Sequence, residues 1–188
     1  MWRFVGRNNL AFTVGAEWRK HSKLVGTAFQ RPPPISQFSS LSRTLFGTLG
    51  EGGEIVKWDD MAERVTLDIL GTTLLGHNFE AITKPNSPFA DGYSRVMHAL
   101  MAPPYIFVPF LDKYFPRKEV VKEVNVLRTQ FSDIIKDKAQ KPGEDLISRM
   151  LEEPEFNNQD VLDNVSVLFV AGHVCIALPV LWRLINIP

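Results

Sequence analysis

The 188 residues are 45% hydrophobic and 22% charged, a composition that excludes a disordered, collagenous or disulfide-built chain. Basic and acidic residues balance at 21 each, and no stretch is dense in Lys and Arg without matching acids, so a nucleic-acid partner has no electrostatic footprint. One cysteine cannot close an intramolecular disulfide, and the start MWRFVGRNNL holds no apolar run long enough for a signal peptide or anchor.

Apolar residues at Trp18, Leu24, Val25, Ala28 and Phe29 predict a helix over Ala16 to Phe29, closed by Pro32-Pro33-Pro34. The series Ile35, Phe38, Leu41, Leu45, Phe46, Leu49 steps by three and four and predicts a second helix, ended by Gly50, Gly52 and Gly53. Asp60 with Glu63 three residues on is expected to cap a third, carrying Val65, Ile69, Leu70 and Leu74 before Gly76. Phe89, Tyr93, Val96, Met97 and Leu100 mark the next, and the aromatic, proline-rich stretch Pro103 to Pro116 reads as a loop. Val120, Val124, Leu127, Phe131 and Ile134 then stripe an amphipathic helix. A short helix over Asp145 to Leu151 precedes a last one, capped by Asn157 or Asn158 and running through Val161, Leu162, Val165, Leu168 and Phe169. No alternating Val, Ile and Thr run, internal repeat or Rossmann glycine pattern appears, so the expected fold class is all-α, or nearly so.

Histidines stand at 21, 77, 98 and 173 without ligand spacing, so no metal site is expected. Neither a Gly-x-Ser-x-Gly elbow nor a phosphate-binding loop is present, which sets hydrolase and nucleotide-binding functions aside. From the residues alone, Trp18 reads as a packing anchor and Cys175 as a small buried hydrophobe.

Three segments in order carry a family resemblance: FVGRNNLAFTVGAEWRKHSKLVGTAF (Phe4 to Phe29), MAERVTLDILGTTLLGHNFEAI (Met61 to Ile82) and DLISRMLEEPEFNNQDVLDNVSVLFVAGH (Asp145 to His173). Together they resemble the cytochrome P450 family of haem-thiolate monooxygenases, in its fungal, membrane-associated form. The resemblance implies a partial fold, from the propionate-helix region to the middle of the oxygen-binding helix, without the family's N-terminal β region and C-terminal haem-thiolate half. The implied cofactor is haem, the implied partners are a reductase and a small organic substrate, and the implied location is the endoplasmic reticulum membrane. Trp18 matches the indole that hydrogen-bonds a haem propionate, whereas the Arg expected four residues on is replaced by Ser22, leaving Arg19, Lys20, His21 or Lys23 to substitute. Ala171 and Gly172 match the small pair beside the haem. The acid and Thr that follow in the family, and relay protons to bound oxygen, are replaced by Val174 and Cys175, neither of which can do that work.

The resemblance therefore implies Trp18, Ala171 and Gly172 as cofactor-binding residues, no catalytic residue, no stably bound haem and a catalytically inactive chain. It also implies a boundary after His173, with residues 1–173 a partial domain and 174–188 a tail of different origin; the codons for Val174 and Cys175 can read GTATGT, a donor-like sequence, so a translated intron is the expected source. Helices without the partners of the parent fold are expected to expose apolar patches and to unfold broadly. The competing class is a non-enzymatic helical protein that associates with membranes or partners. It rests on residues 165–182, 18 positions without a charge. By the resemblance, the loop Pro103 to Pro116, with Tyr105, Phe107, Phe110, Tyr114 and Phe115, meets the membrane surface, the alternative being an aromatic loop packed on its own domain.

Overall fold

The computed structural model describes residues 2–30, 35–49, 57–85, 87–100, 102 and 117–185, with side chains from residue 3 to residue 175. Eight α-helices and one π-helical turn carry the described chain, and no strand occurs among the described residues. They are α1 (Trp2–Val5), α2 (Gly15–Phe29), α3 (Ile35–Thr48), α4 (Trp58–Leu70) with the π turn Gly71–Leu75, and α5 (Pro88–Leu100). After these come α6 (Lys118–Gln140), α7 (Leu146–Leu151) and α8 (Asn158–Ile185). The loop expected at Pro103 to Pro116 lies outside the described residues.

The expected cap holds at α8, and α7 has a cap of its own. Asp145 accepts the N–H of Ser148 at 2.9 Å, and Asn157 accepts the N–H groups of Gln159 and Asp160 at 2.8 and 2.9 Å, which satisfies donors that a helix start leaves open. At α4 the expectation is corrected. The helix begins two residues before Asp60, its cap position Lys57 makes no side-chain cap bond, and Asp60 pairs instead with Arg64 one turn on. An Asp in the first turn still favours the positive end of the helix dipole, so the residue helps the start without capping it.

Helix α8 is the axis of the fold, packed by α1, α4, α6, α7 and the π turn. Its Phe169 meets Tyr93 of α5 and Phe131 of α6 edge-on, with ring centroids 5.2 Å away in both cases, and Phe79 stacks on Phe89 at 3.6 Å beside them. The edge-to-face pairs of Phe169 add to area burial. Phe4 of α1 completes the cluster at 5.8 Å from Phe131, so a one-turn helix that periodicity does not signal buries Phe4 and Val5 fully. In α6 the buried stripe is Val124, Leu127, Phe131 and Ile135; Ile135 replaces the expected Ile134 because the seam steps by four after Phe131.

The π turn ends at Gly76, whose φ of 57° is left-handed and suits glycine. A β-carbon on Gly71 would come within 2.6 Å of the His77 carbonyl oxygen, so the chain doubles back over a glycine. Asp68 secures the return: its two carboxylate oxygens accept the N–H groups of Ala81 and Ile82, both at 2.9 Å. Among the described residues no helix is long and apolar enough to cross a membrane. The proposed 165–182 segment runs inside α8, and its side chains beyond Cys175 lie outside the described residues.

Candidate functional site

Two elements present the residues singled out above. On α2, buried Leu24, Val25 and Ala28 fix the helix against the core and leave Trp18 on the outer side, 45% exposed. An indole with that much open surface is not a core anchor, so the packing expectation for Trp18 is corrected. Ser22, one turn on, is partly buried and supplies a hydroxyl where the resemblance implies an Arg. Of the substitutes, His21 is fully buried and hydrogen-bonded on both ring nitrogens, and the Lys20 ammonium lies 4.7 Å over the Phe156 ring. Arg19 and Lys23 are exposed, about 100° around the helix from Trp18 and Ser22 respectively.

On α8, burial changes face between Val170 and Ala171. Phe169 and Val170 are inside, while Ala171, Val174 and Cys175, spaced three and four apart, form one exposed face. Cys175 is therefore corrected from a buried hydrophobe to an exposed thiol. Gly172 looks the other way: a β-carbon there would stand 2.7 Å from Leu70 Cδ2, so its smallness lets α8 approach α4. The helix runs without interruption through these residues and across Val174 to Ile185. Trp18 and Ala171–Gly172 are not in one cluster; their helices are linked seven residues before Ala171, at Asn164, about 10 Å along α8.

Beside Gly172, His173 packs edge-on against Tyr93 with centroids 5.1 Å apart. The Tyr93 hydroxyl and His173 Nδ1 are buried without a hydrogen-bond partner, an arrangement the residue pattern did not signal. Burial pushes the His173 imidazole below its ordinary value, with the Glu63 carboxylate pulling weakly the other way. Burial also pushes the Tyr93 hydroxyl up, and Glu63 adds to it, so Tyr93 stays protonated and His173 is held neutral.

A haem would need fixed donors for its propionates and an axial ligand for its iron. The residues present do not fit that need. Trp18 offers one N–H, the i+4 charge is absent, the nearest buried imidazole is committed elsewhere, and the thiol at Cys175 sits on a helix face rather than in a loop. No group of three metal-ligating side chains occurs among the described residues.

The family described as Cytochrome P450 matches residues 3–187, a span that runs across Val174. The chain is 26% identical over 180 residues to Cytochrome P450-DIT2 of Saccharomyces cerevisiae, covering 88% of this chain and 37% of that protein. It is 24% identical over 119 residues to Cytochrome P450 3A29 of Sus scrofa, covering 58% of this chain and 24% of the relative. The chain thus spans well under half the length of these curated relatives. Among solved structures, the cytochrome P450DA heme domain superposes with a TM-score of 0.73 at 20% identity, over 92% of this chain and 40% of that one. The retinoic acid-bound cyanobacterial CYP120A1 gives 0.67 at 22%, over 90% and 39%.

Proposed function

The chain belongs to the cytochrome P450 family, and on that premise we propose that its 188 residues supply a helical part of a haem-dependent monooxygenase fold without the oxygen-activating chemistry. In the family that chemistry inserts one oxygen atom into an organic substrate with electrons from a reductase; haem, substrate, reductase and endoplasmic reticulum membrane are carried to this chain as part of the proposal. What supports the second half is the exposed face of α8. Ala171, Val174 and Cys175 occupy it, and the two positions after His173 hold an aliphatic side chain and a thiol in place of a carboxylate and a hydroxyl. Valine moves no proton and a thiol is a weak donor.

The chain's own residues still do identifiable work. Trp18 holds an indole N–H open on α2, Gly172 lets α8 lie close on Leu70, and the buried aromatic cluster keeps water away from the inner side of α8. These roles orient and exclude; none transfers a proton. Haem titration of the purified chain followed by gel filtration tests the proposal. Haem is expected to separate from the protein, and stoichiometric co-elution would overturn the statement that the donor set is insufficient.

A further inference from the structure

His21 is fully buried on α2, between Trp18 and the core, and both of its ring nitrogens are used. Its partners fix the direction of every proton. Asn164 Oδ1 accepts the N–H of Leu10 at 3.0 Å, and Asn164 Nδ2 donates to the Asp160 carbonyl at 2.8 Å, so this amide cannot be turned over without losing both bonds. Its remaining hydrogen points at His21 Nδ1, 2.8 Å away, which must accept. The ring hydrogen then belongs to Nε2, which faces Asn8 Oδ1 at 3.3 Å; Asn8 in turn is oriented by its own Nδ2, which donates to the Asp160 carboxylate at 2.5 Å.

The consequence is geometric. Among the described residues, His21 to Asn164 is the side-chain hydrogen bond that joins α2 to α8. The far end of α2 is held differently, by the Arg149 guanidinium of α7 donating to the Ala28 carbonyl at 3.0 Å. Leu24, Val25 and Ala28 hold the middle of α2 on the core, and the two hydrogen bonds set the direction of its two halves, so removing the His21 bond frees the half that carries Trp18 to shift on that packing. Removing the ring would leave one hydrogen of the fully buried Asn164 amide without an acceptor, which costs more than the bond itself.

We propose that His21, as the Nε2–H tautomer, is a positioning residue that sets α2 against α8 and so fixes where Trp18 stands relative to Ala171 and Gly172. Only the significance of Trp18 rests on the haem reading; the placement itself does not, and it is measured without haem. Two observations on the full chain test it. In the unaltered protein at neutral pH, nitrogen-15 spectra of the His21 ring should show Nε2 protonated and Nδ1 bare; the opposite tautomer, or a doubly protonated ring, overturns the assignment.

The placement is read by electron–electron distance between spin labels on the single native Cys175 and on an introduced Arg19→Cys, both exposed. His21→Phe keeps the ring volume and removes both bonds, and should broaden or shift the distance distribution. His21→Gln, with an acceptor for Asn164 and a donor for Asn8, should keep it. Leu67→Ala destabilises the core away from this contact and should leave the distance unchanged, which separates placement from stability. An unchanged distribution in His21→Phe overturns the proposal. If His21→Phe does not fold, His21→Gln decides: a parent-like distribution supports the proposal, and a displaced one or failure to fold contradicts it.

Discussion

Arg128 donates to the Asp163 carboxylate at 2.9 Å, an ion pair that joins α6 to α8 with the Asp163 side chain only 6% exposed. The other oxygen of Asp163 accepts the N–H groups of Arg7 and Asn8 at 3.1 and 3.2 Å, so one buried carboxylate also holds the loop between α1 and α2. The loop comes close enough to need glycine: Gly6 has φ of 74°, and a β-carbon there would lie 1.9 Å from Asp163 Cγ. Asp163→Ala would leave two amides without their acceptor and the largely buried Arg128 guanidinium without its carboxylate, though still on the Phe4 carbonyl, at about 3 kcal/mol. Hydrogen exchange at Arg7 and Asn8 should accelerate by about two orders of magnitude, and Gly6→Ala should do the same through strain and overlap. Protection unchanged in both variants would show that the loop is held by something else.

His173 gives the chain a pH dependence with a definite sign. Because burial lowers its folded value below the ordinary 6.5 of a free imidazole, the unfolded chain binds the extra proton first as pH falls. The stability associated with neutral His173 is complete above pH 6.5 and is lost as pH drops through the lowered folded value. The groups facing it are Tyr93 from α5, which stays protonated, and Glu63 from α4, whose charge reduces the effect. Urea midpoints should therefore fall between pH 7.5 and pH 5 in the parent, and His173→Leu should flatten that part of the profile. An equal slope in both proteins would place the titration elsewhere.

Gly172 is expected to tolerate a methyl group better than a branched side chain. Alanine gains about 1 kcal/mol of helix propensity over glycine, which offsets much of the crowding at Leu70, whose Cδ2 is a side-chain tip that can move. Gly172→Val adds a β-carbon with two methyl groups in a helix and should cost about 3 kcal/mol. Shortening the neighbour, in Gly172→Val with Leu70→Ala, should recover part of that loss, and strictly additive costs would show that the two residues do not meet.

A local signal is readable where a partner lies within one turn: Asn157 caps with Asp160 as its type suggests, and Asp145 caps with Ser148 by the same local chemistry, although the residue pattern did not single it out. Asp60 misled because an Asp in a first turn can pair with Arg64 as readily as it can cap. His21 and Asn164 were not readable, since 143 residues separate them and neither spacing nor periodicity marks a contact of that range. Ala171 and Gly172 could be placed on one helix from the pattern. Which of them faces Leu70 and which faces out depends on how α8 is rotated by packing on α4, and that is a tertiary fact. The exposure of Trp18 and Cys175 has the same origin, because apolar residues at helical spacing do not say which of them the fold covers.

Asp68 carries opposing forces. Burial raises its carboxyl above the ordinary range, while the N–H groups of Ile82 and Ala81 act to lower it and Glu80 adds to the rise. In Asp68→Asn one of the two amides would face an NH2 group instead of an oxygen, at a cost of about 2 kcal/mol. Exchange at Ala81 or Ile82 should rise accordingly, and full protection of both would argue that the second oxygen is dispensable.

The claim that this chain carries family scaffold without oxygen activation is tested most directly by one spectrum. The purified 188-residue chain is mixed with haem, reduced, and exposed to carbon monoxide, and the difference spectrum is recorded. With Val174 and Cys175 on an exposed helical face and only Trp18 among the donors, no thiolate-type band is expected, and Cys175→Ser should leave the spectrum unchanged. A stable thiolate-type band that disappears in Cys175→Ser would contradict the claim.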